Sequence, residues 1–454
     1  MIASFPPRPA IARPVNFMLV LYDRQLVDYP YEASTVEEHY RAFARHSRFT
    51  VWQWNTRHGY PDVLDRMDPA VVVLHYSLFG SGLYMLDDRL LEFLSHTRAH
   101  KIAFFQDEMA WMQKRFRFVD DYGIDTVYTH IAERDFDATW RRYTSVPNLV
   151  HNYPGYVSDD MIEGGRRYGL PEEDRDIDVG YRGRSLPSWL GRAAQEKAII
   201  GTEFARLAAD SGLRLDIRTN EEDRIYGEAW HRFVGRCRAT LGVESGVSYL
   251  DLEDEVLNAY QRIREERGEP PTLEELERGP LGRWDNNFAY RTISPRHFEA
   301  AAFRVCQVLF RGEYAGVFEA DVHYIPLEKD FSNIDEVIGQ LKDPARCREL
   351  TERTHRDVIA SGRYSYSAFV AGVDRHLVEH GADPSCPPGE RRALDAEIRA
   401  MADRRRAAAR RERLRTLPAR AFNARSQASW HVYRTVAPVS RQLRRRLGLR
   451  QKEA

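Results

Sequence analysis

Polar side chains follow two apolar segments in the first third of the sequence. His75 comes directly after Val71–Leu74, and Asp107 and Glu108 follow Lys101–Phe105. Because ligands of open parallel sheets bind outside the carboxyl ends of the strands, we expect these side chains at a cleft. Histidine or a carboxylate can act as a general base toward a hydroxyl group. A lone histidine after a strand is more often structural, and the two acids could equally cap the next helix.

A helix start with a charged first turn lies in the last third of the chain. Ser294 and Pro295 match the preferred N-cap and first helical residue, and Arg296 and Glu299 follow within about one turn. A free helix N-terminus carries unpaired N–H groups and the positive end of the helix dipole, which suit a diphosphate. Arg296 would add charge, and Glu299 could accept hydrogen bonds from a ribose diol. The alternative is a plain helix–strand unit in which Glu299 is simply exposed.

Short apolar runs alternate with helical stretches around these residues. This alternation is typical of a doubly wound parallel sheet covered on both faces. It predicts an α/β protein whose first Rossmann-like domain spans residues 14–155, followed by a polar linker at 156–176. The predicted strands of this domain are Val15–Tyr22, Phe49–Trp54, Val71–Leu74, Lys101–Phe105, Thr126–His130 and Val146–Val150.

A second alternation predicts another Rossmann-like domain over residues 177–375. A charged, helical insertion at 251–282 interrupts it, and a connection at 376–389 contains three prolines. The predicted strands are Ile177–Tyr181, Leu213–Arg218, Ala239–Val243, Val305–Phe310 and His323–Pro326.

Several motifs of this second domain match a known family. The segments S-P-R-H-F-E-A-A-A at 294–302 and H-Y-I-P-L-E-K-D-F-S-N at 323–333 resemble the C-terminal half of GT-B glycosyltransferases, closest to the branch related to spore-maturation glycosyltransferases. The upstream segments V-G-Y-R-G-R, L-G-R-A-A-Q-E-K and L-G-V-E-S-G-V-S are similar to bacterial members. The resemblance implies two Rossmann-like domains facing across a cleft, with the nucleotide-sugar donor bound by the second.

The resemblance also implies donor-site residues. Glu299 matches the glutamate that holds the donor ribose. The other expected donor-binding residues are Arg182 or Arg184 and Lys197 at the diphosphate, Glu244, Ser245 and Gly246 beside the donor sugar, and Ser294 and Arg296 at the helix start. Tyr324 is expected to border the nucleotide base, although core packing explains it nearly as well.

Glycosyl transfer requires that the leaving diphosphate be neutralised, by a metal or by cationic groups. The acidic pairs at 87–88 and 120–121 lack the Asp-x-Asp form of a metal motif. We therefore predict no catalytic metal and no cofactor, with a UDP- or GDP-type sugar as substrate. An inverting transfer would favour Asp107 or Glu108 as the base, whereas in a retaining transfer His75 would only position the donor sugar.

The charge of the chain is unevenly distributed. Its 454 residues hold 67 basic and 68 acidic side chains, but residues 390–454 carry 19 basic against 6 acidic ones, a net charge of +13. This basic tail predicts binding to an anionic membrane surface. Docking to a partner protein is an alternative, and nucleic acid is not the expected partner.

Other classes of protein are disfavoured. The chain is 43% hydrophobic, which is too apolar for general disorder. No apolar run reaches the roughly 18–20 residues that span a bilayer, and the proline-broken start lacks a secretory signal pattern. Four scattered cysteines indicate neither a disulfide framework nor a zinc site. We expect a cytoplasmic protein, peripheral at the inner face of the plasma membrane.

The sequence therefore favours a glycosyltransferase that moves a sugar from a nucleotide-sugar to a glycan or lipid-linked acceptor in bacterial surface polysaccharide synthesis. Two alternatives stay open: a non-catalytic nucleotide-sugar-binding or scaffold protein of the same fold, and a sugar-nucleotide epimerase.

Overall fold

The computed structural model describes most of the chain. The described residues are 13–24, 34–80, 84–247, 249–284, 287–288, 290–404 and 407. The chain divides into two compact units, residues 1–386 and 387–454. The first unit holds two parallel sheets, and the second is helical over residues 388–404. Most of the predicted basic tail, 390–454, lies outside the described residues.

The first sheet has six parallel strands in the order β2-β1-β3-β4-β5-β6. Its central strands are continuous apolar runs, as expected for a sheet covered on both faces, and Met18, Val73 and Phe104 are fully buried in its core. The strands are β1 Arg13–Tyr22, β2 Val51–Asn55, β3 Met67–Leu74, β4 His100–Phe104, β5 Thr126–Thr129 and β6 Asn148–His151.

The second sheet has five parallel strands in the order β13-β12-β9-β7-β8. A short antiparallel ribbon, β10 with β11, accompanies it. The strands are β7 Ile177–Arg182, β8 Leu215–Arg218, β9 Cys237–Gly242, β10 Ser245–Gly246, β11 Arg291–Thr292, β12 Cys306–Phe310 and β13 Ile325–Leu327. The predicted strands and the α/β fold class are confirmed.

Helices connect the strands, and several begin at side-chain caps. Asp87 accepts a hydrogen bond from the Leu90 N–H (2.8 Å), and Ser365 accepts one from Ala368 (3.1 Å). The helices are α1 Ser34–His46, α2 Asp88–His96, α3 Met112–Asp121, α4 Trp140–Tyr143, α5 Asp159–Tyr168, α6 Gly191–Leu207, α7 Gly227–Arg236, α8 Glu255–Arg267, α9 Leu273–Glu277, α10 Pro280–Trp284, α11 Pro295–Ala302, α12 Ile334–Leu341, α13 Pro344–Thr354 and α14 Tyr366–Glu379.

Helix α14 belongs to the core of the first sheet, although it comes last in the first unit. Phe369, Val370 and Leu377 are buried in the same cluster as α1 and β1. The predicted domain end at residue 375 therefore falls inside a helix of the first domain. The sequence boundary was wrong because α14 has no distinguishing pattern, and only its packing shows which sheet it covers.

The predicted linker at 156–176 contains helix α5. Ser158 caps it by accepting a hydrogen bond from the Met161 N–H (3.0 Å), and the Ser158 hydroxyl also donates to Glu38 Oε1 on α1 (3.1 Å). Glu38 Oε2 is buried and has no hydrogen-bond partner among the described residues. Burial raises the pKa of Glu38 to about 7, and Glu299 and Asp160 add to the shift.

Replacing Glu38 with glutamine is expected to flatten part of the pH dependence of stability. The raised pKa means that this group's contribution is fully present below its ordinary value of 4.5 and is lost as pH rises to about 7. Relative to Glu38→Gln, the wild-type free energy of unfolding should therefore fall by about 3 kcal/mol over this interval. Urea unfolding at pH 4.5 and pH 8 measures the difference, and Glu336→Gln, an exposed glutamate on α12, is the control. Parallel pH profiles for Glu38→Gln and wild type would contradict the assignment.

The insertion at 251–282 is helical, as predicted, and forms α8, α9 and part of α10. The residue before α8, Asp254, contacts the first domain. Its two carboxylate oxygens accept hydrogen bonds from the Met112 N–H (2.9 Å) and the Gln113 N–H (3.3 Å) at the start of α3. The insertion thus caps a helix of the first domain.

Candidate active site

A cavity of about 260 Å³ opens at the carboxyl ends of β7 and β9, beside the start of α11. We call it the donor cavity, after the role that the sequence predicts for its lining residues. Six of the predicted donor-binding residues line it: Arg182, Arg184, Lys197, Ser294, Arg296 and Glu299. Residues from three separate elements thus meet where the sequence predicts a nucleotide site.

Glu299 lies in the donor cavity with one oxygen already held. Trp230 Nε1 on α7 donates to Glu299 Oε2 (3.1 Å), and the Arg296 guanidinium stacks on the Trp230 ring at 4.8 Å. Burial raises the pKa of Glu299, and the positive charge of Arg296 opposes the shift. This contact orients the carboxylate and leaves its other oxygen available to a hydroxyl donor.

The start of α11 is capped by its own side chains. Ser294 Oγ accepts from the Arg296 N–H (3.4 Å), Ser294 O accepts from the His297 N–H (2.9 Å), and the Ser294 N–H donates to His297 Nδ1 (3.2 Å). Gly242 permits this arrangement, because a Cβ there would lie 2.9 Å from His297 Nε2. The prediction of unpaired N–H groups is therefore wrong for the first turn, since local capping uses them.

The cations of the donor cavity differ in availability. The guanidinium of Arg182 is already hydrogen-bonded within the second sheet. It donates to Asp216 O (2.8 Å) and to the Asp216 carboxylate (3.0 Å), and it stacks on the Phe233 ring at 4.1 Å. Arg184 is half-exposed and lies 3.7 Å from Glu221. Among the described residues, Lys197 has no hydrogen bond or ion pair to its ammonium group. Lys197 is therefore the unpaired cation of the cavity among the described residues, and Arg184, held only by this half-exposed ion pair, is the second cation that can turn toward a diphosphate.

A larger cavity of about 910 Å³ lies between the two domains and shares Arg184 and Lys197 with the donor cavity. We call it the interdomain cavity. Asp107, after β4, lines it from the first domain and is exposed there. Burial lowers the pKa of Lys197, and Asp107 opposes this shift, so the two side chains interact electrostatically across the cavity.

The two domains share one sheet topology. Both sheets are parallel and place their first five strands in the same order, with the second strand outermost and the first strand beside it. The interdomain cavity is lined from both. The chain has the GT-B fold. The prediction of that fold is confirmed.

Comparison with solved structures gives GT-B neighbours at low similarity. TarM is 10% identical at a TM-score of 0.35, covering 69% of this chain, and the chain spans about half (55%) of TarM. An alpha-glucosyltransferase in complex with UDP is 11% identical at a TM-score of 0.42, covering 80% of this chain and all of that one. Anabaena HepE in complex with UDP-glucose is 10% identical at a TM-score of 0.40, covering 80% of this chain and 98% of that one.

Sequence comparison gives little more. No family model matches the chain. Lon protease 1 of Myxococcus xanthus is 22% identical over 218 residues, which is 40% of this chain. The chain spans about a quarter (27%) of that relative's length.

His75 does not reach either cavity of this GT-B fold. It is fully buried, its Nδ1 accepts from the Ser77 N–H (3.1 Å), and its ring lies 4.9 Å from that of His39. Burial, with His39 beside it, lowers the pKa of His75 well below its usual value. The predicted role in donor positioning is corrected to a structural one, because the side chain turns back to cap the next helical turn.

Glu108 is also structural rather than available as a base. It is fully buried; its carboxylate accepts from the Thr129 hydroxyl, from Trp140 Nε1 (3.1 Å) and from the His130 N–H (2.8 Å). Tyr290, which precedes β11 of the second domain, donates to it at 3.4 Å. Of the two adjacent acids, only Asp107 faces the interdomain cavity.

Two of the predicted donor residues, Glu244 and Tyr324, line neither cavity. Glu244 Oε1 accepts from the Glu313 N–H (3.2 Å) and the Tyr314 N–H (2.9 Å), which holds the loop after β12. Tyr324 is fully buried and its hydroxyl contacts Gly312 O at 3.3 Å. Both predictions are corrected: these side chains hold the loop, and core packing explains Tyr324.

Ser245 and Gly246 form β10 and line the interdomain cavity. Gly246 has φ +95°, and a Cβ there would lie 2.0 Å from Tyr290 O. Glycine is therefore required at position 246, because the backbone of β10 passes close to the backbone of Tyr290, just before β11.

Sequence reasoning missed Trp230, which holds Glu299. The two residues are 69 positions apart, and nothing in the sequence of α7 distinguishes this tryptophan from a core aromatic. Across the part of the chain that the structure describes, no three His, Cys, Asp or Glu side chains cluster as a metal site. Nor does any helix within it combine the length and apolarity needed to cross a bilayer.

Proposed function

We propose that the chain is a metal-independent glycosyltransferase that moves a sugar from a UDP- or GDP-type donor to a glycan or lipid-linked acceptor. The observation that carries the proposal is the donor cavity, where an oriented carboxylate, Glu299, and two available cations, Arg184 and Lys197, lie together. A nucleoside diphosphate needs a hydrogen-bond acceptor at its ribose and positive charge at its phosphates.

The proposed reaction runs at the junction of the two cavities. Glu299 accepts hydrogen bonds from the ribose diol. Lys197 and Arg184 neutralise the charge that develops on the leaving diphosphate. Asp107 accepts the proton of the acceptor hydroxyl in an inverting transfer. The acceptor enters through the interdomain cavity, which is several times larger than the donor cavity.

Nucleotide release from a panel of UDP- and GDP-sugars tests the proposal. The purified full chain should release UDP or GDP from one donor, and faster when a glycan acceptor is added. Donor consumption separates the enzyme from a non-catalytic binding protein, whereas binding of UDP alone does not. Conversion of the donor to an epimer without diphosphate release would favour the epimerase.

We expect transfer to be unaffected by EDTA. The reason is that Lys197 and Arg184 supply the charge that a metal would otherwise supply at the diphosphate. Initial rates with EDTA, and with added Mg²⁺ or Mn²⁺, provide the measurement. Activity that EDTA abolishes and either metal restores would contradict metal independence.

We further propose that the basic tail attaches the enzyme to the inner face of the plasma membrane, where a lipid-linked acceptor of surface polysaccharide synthesis would be found. Anionic lipid attracts each basic residue near the surface by about 1 kcal/mol. The full chain should cosediment with anionic vesicles in low salt, and a chain ending at Gly389 should not. Zwitterionic vesicles are the control, and equal binding by the shortened chain would overturn this attachment.

A further inference from the structure

Arg115 is a buried cation that lines the interdomain cavity. It lies on α3 of the first domain, and the residue is 2% exposed. Its Nε and Nη1 atoms are buried and have no hydrogen-bond partner among the described residues. No described carboxylate lies within 4.0 Å of the guanidinium, which lies 5.5 Å from the centroid of the Phe105 ring.

The acids around Arg115 are already used elsewhere. Glu108 accepts hydrogen bonds from Thr129, Trp140 and the His130 N–H. Asp254 is occupied by the two N–H groups that start α3. Both carboxylates interact with Arg115 electrostatically, but neither makes a hydrogen bond to it.

An unpaired buried guanidinium is costly, because it has lost water without gaining a partner. Arginine presents a planar fork of N–H donors that matches carboxylate and phosphate oxygens. A side chain kept in this state at the wall of a cavity is suited to an anionic ligand, which would complete its hydrogen bonds.

We propose that Arg115 binds an anionic group, a phosphate or a carboxylate, of the acceptor. That the ligand is an acceptor substrate rests on the proposed function. Arg115 lines the interdomain cavity and not the donor cavity, whereas Arg184 and Lys197 line both. The cations of the second domain thus serve the donor diphosphate, and Arg115 in the first domain serves the other substrate.

The experiment measures ligand-induced thermal shifts of the full chain with UDP or GDP, whichever of the two shifts it, at saturation, so that the donor cavity is filled. The probes are glucose 6-phosphate, glucuronate and neutral glucose, which distinguish a phosphate from a carboxylate. A ligand that binds only the native state raises the melting temperature by an amount that grows with the logarithm of its concentration relative to its Kd. At least one anionic sugar should raise it and glucose should not.

Arg115→Met should weaken binding of the anionic sugar that shifts the wild type by about tenfold or more, while the shift caused by the nucleotide stays unchanged. Arg117→Met, an exposed arginine on the same helix, is the matched control and should bind as wild type. Arg115→Lys keeps the charge without the fork and should bind with intermediate affinity. Arg115→Lys also provides the test of Arg115 if Arg115→Met does not fold.

Three results would overturn the proposal: no anionic sugar shifts the wild type more than glucose does, Arg115→Met keeps the full shift, or Arg117→Met loses it equally. If neither Arg115 variant folds, the wild-type comparison of glucose with its 6-phosphate and with glucuronate decides alone. Failure of the proposed function looks different, because neither UDP nor GDP would then cause a shift, and the anionic sugars would still be compared without a nucleotide.

Discussion

Replacing Lys197 with methionine is expected to lower kcat about 10²- to 10³-fold. Lys197 has no ion-pair partner among the described residues and lines both cavities, so its charge is available where the leaving diphosphate would form. Methionine keeps a chain of similar length and removes the charge. The measurement is the initial rate of nucleotide release at saturating donor, compared with wild type.

Two further readouts identify the cause of that loss. The Kd of UDP should rise less than kcat falls, since the diphosphate gains charge as the sugar leaves. Lys342→Met, at an exposed lysine after α12, controls for a general loss of positive charge and should keep full activity. An unchanged kcat in Lys197→Met would remove Lys197 from the reaction and leave Arg184 as the remaining available cation.

Replacing Glu299 with glutamine is expected to weaken UDP or GDP binding about 10- to 100-fold, the range for a hydrogen bond that loses its charged acceptor. Glutamine can still accept from Trp230 Nε1, so the side chain should keep its place. The wild type should prefer UDP to 2′,3′-dideoxy-UDP, and Glu299→Gln should lose most of that preference. Titration calorimetry of both ligands on both proteins gives the four affinities.

The pH dependence provides a second signature of Glu299. Burial raises the pKa of this carboxyl group. Nucleotide affinity should therefore fall as pH is lowered, at a higher pH than for an ordinary glutamate, because the protonated form accepts hydrogen bonds poorly. Glu299→Gln should be flat over the same range, and Glu336→Gln should follow the wild type. A ribose preference that survives in Glu299→Gln would place the diol elsewhere.

The fold was predictable because parallel strands are buried on both faces. Apolar runs such as Val15–Tyr22 and Ile177–Tyr181 are typical of strands in the interior of such a sheet, and they form β1 and β7. The donor cavity was predictable for a related reason. Glu299 lies one turn into α11 and Arg184 lies just after the end of β7, and helix starts and strand ends of this kind border the cleft in a doubly wound sheet.

The predicted acceptor side of the cleft was harder to predict, because two adjacent residues there point their side chains in different directions. Asp107 and Glu108 are adjacent, yet the backbone at Asp107 takes a left-handed φ of 53°, and one side chain is exposed while the other is fully buried. His75 likewise turns back to Ser77. Such turns depend on tertiary contacts, and no spacing in the sequence records them.

The cap that Asp254 places on α3 has a consequence for movement of the two domains. The amide hydrogens of Met112 and Gln113 are held by a carboxylate that belongs to the other side of the cleft. If the cleft opens, these two amides lose their acceptors together while the rest of α3 keeps its own hydrogen bonds. Their hydrogen–deuterium exchange rates, compared with those of the following turns, therefore report how often the cleft between the two domains opens.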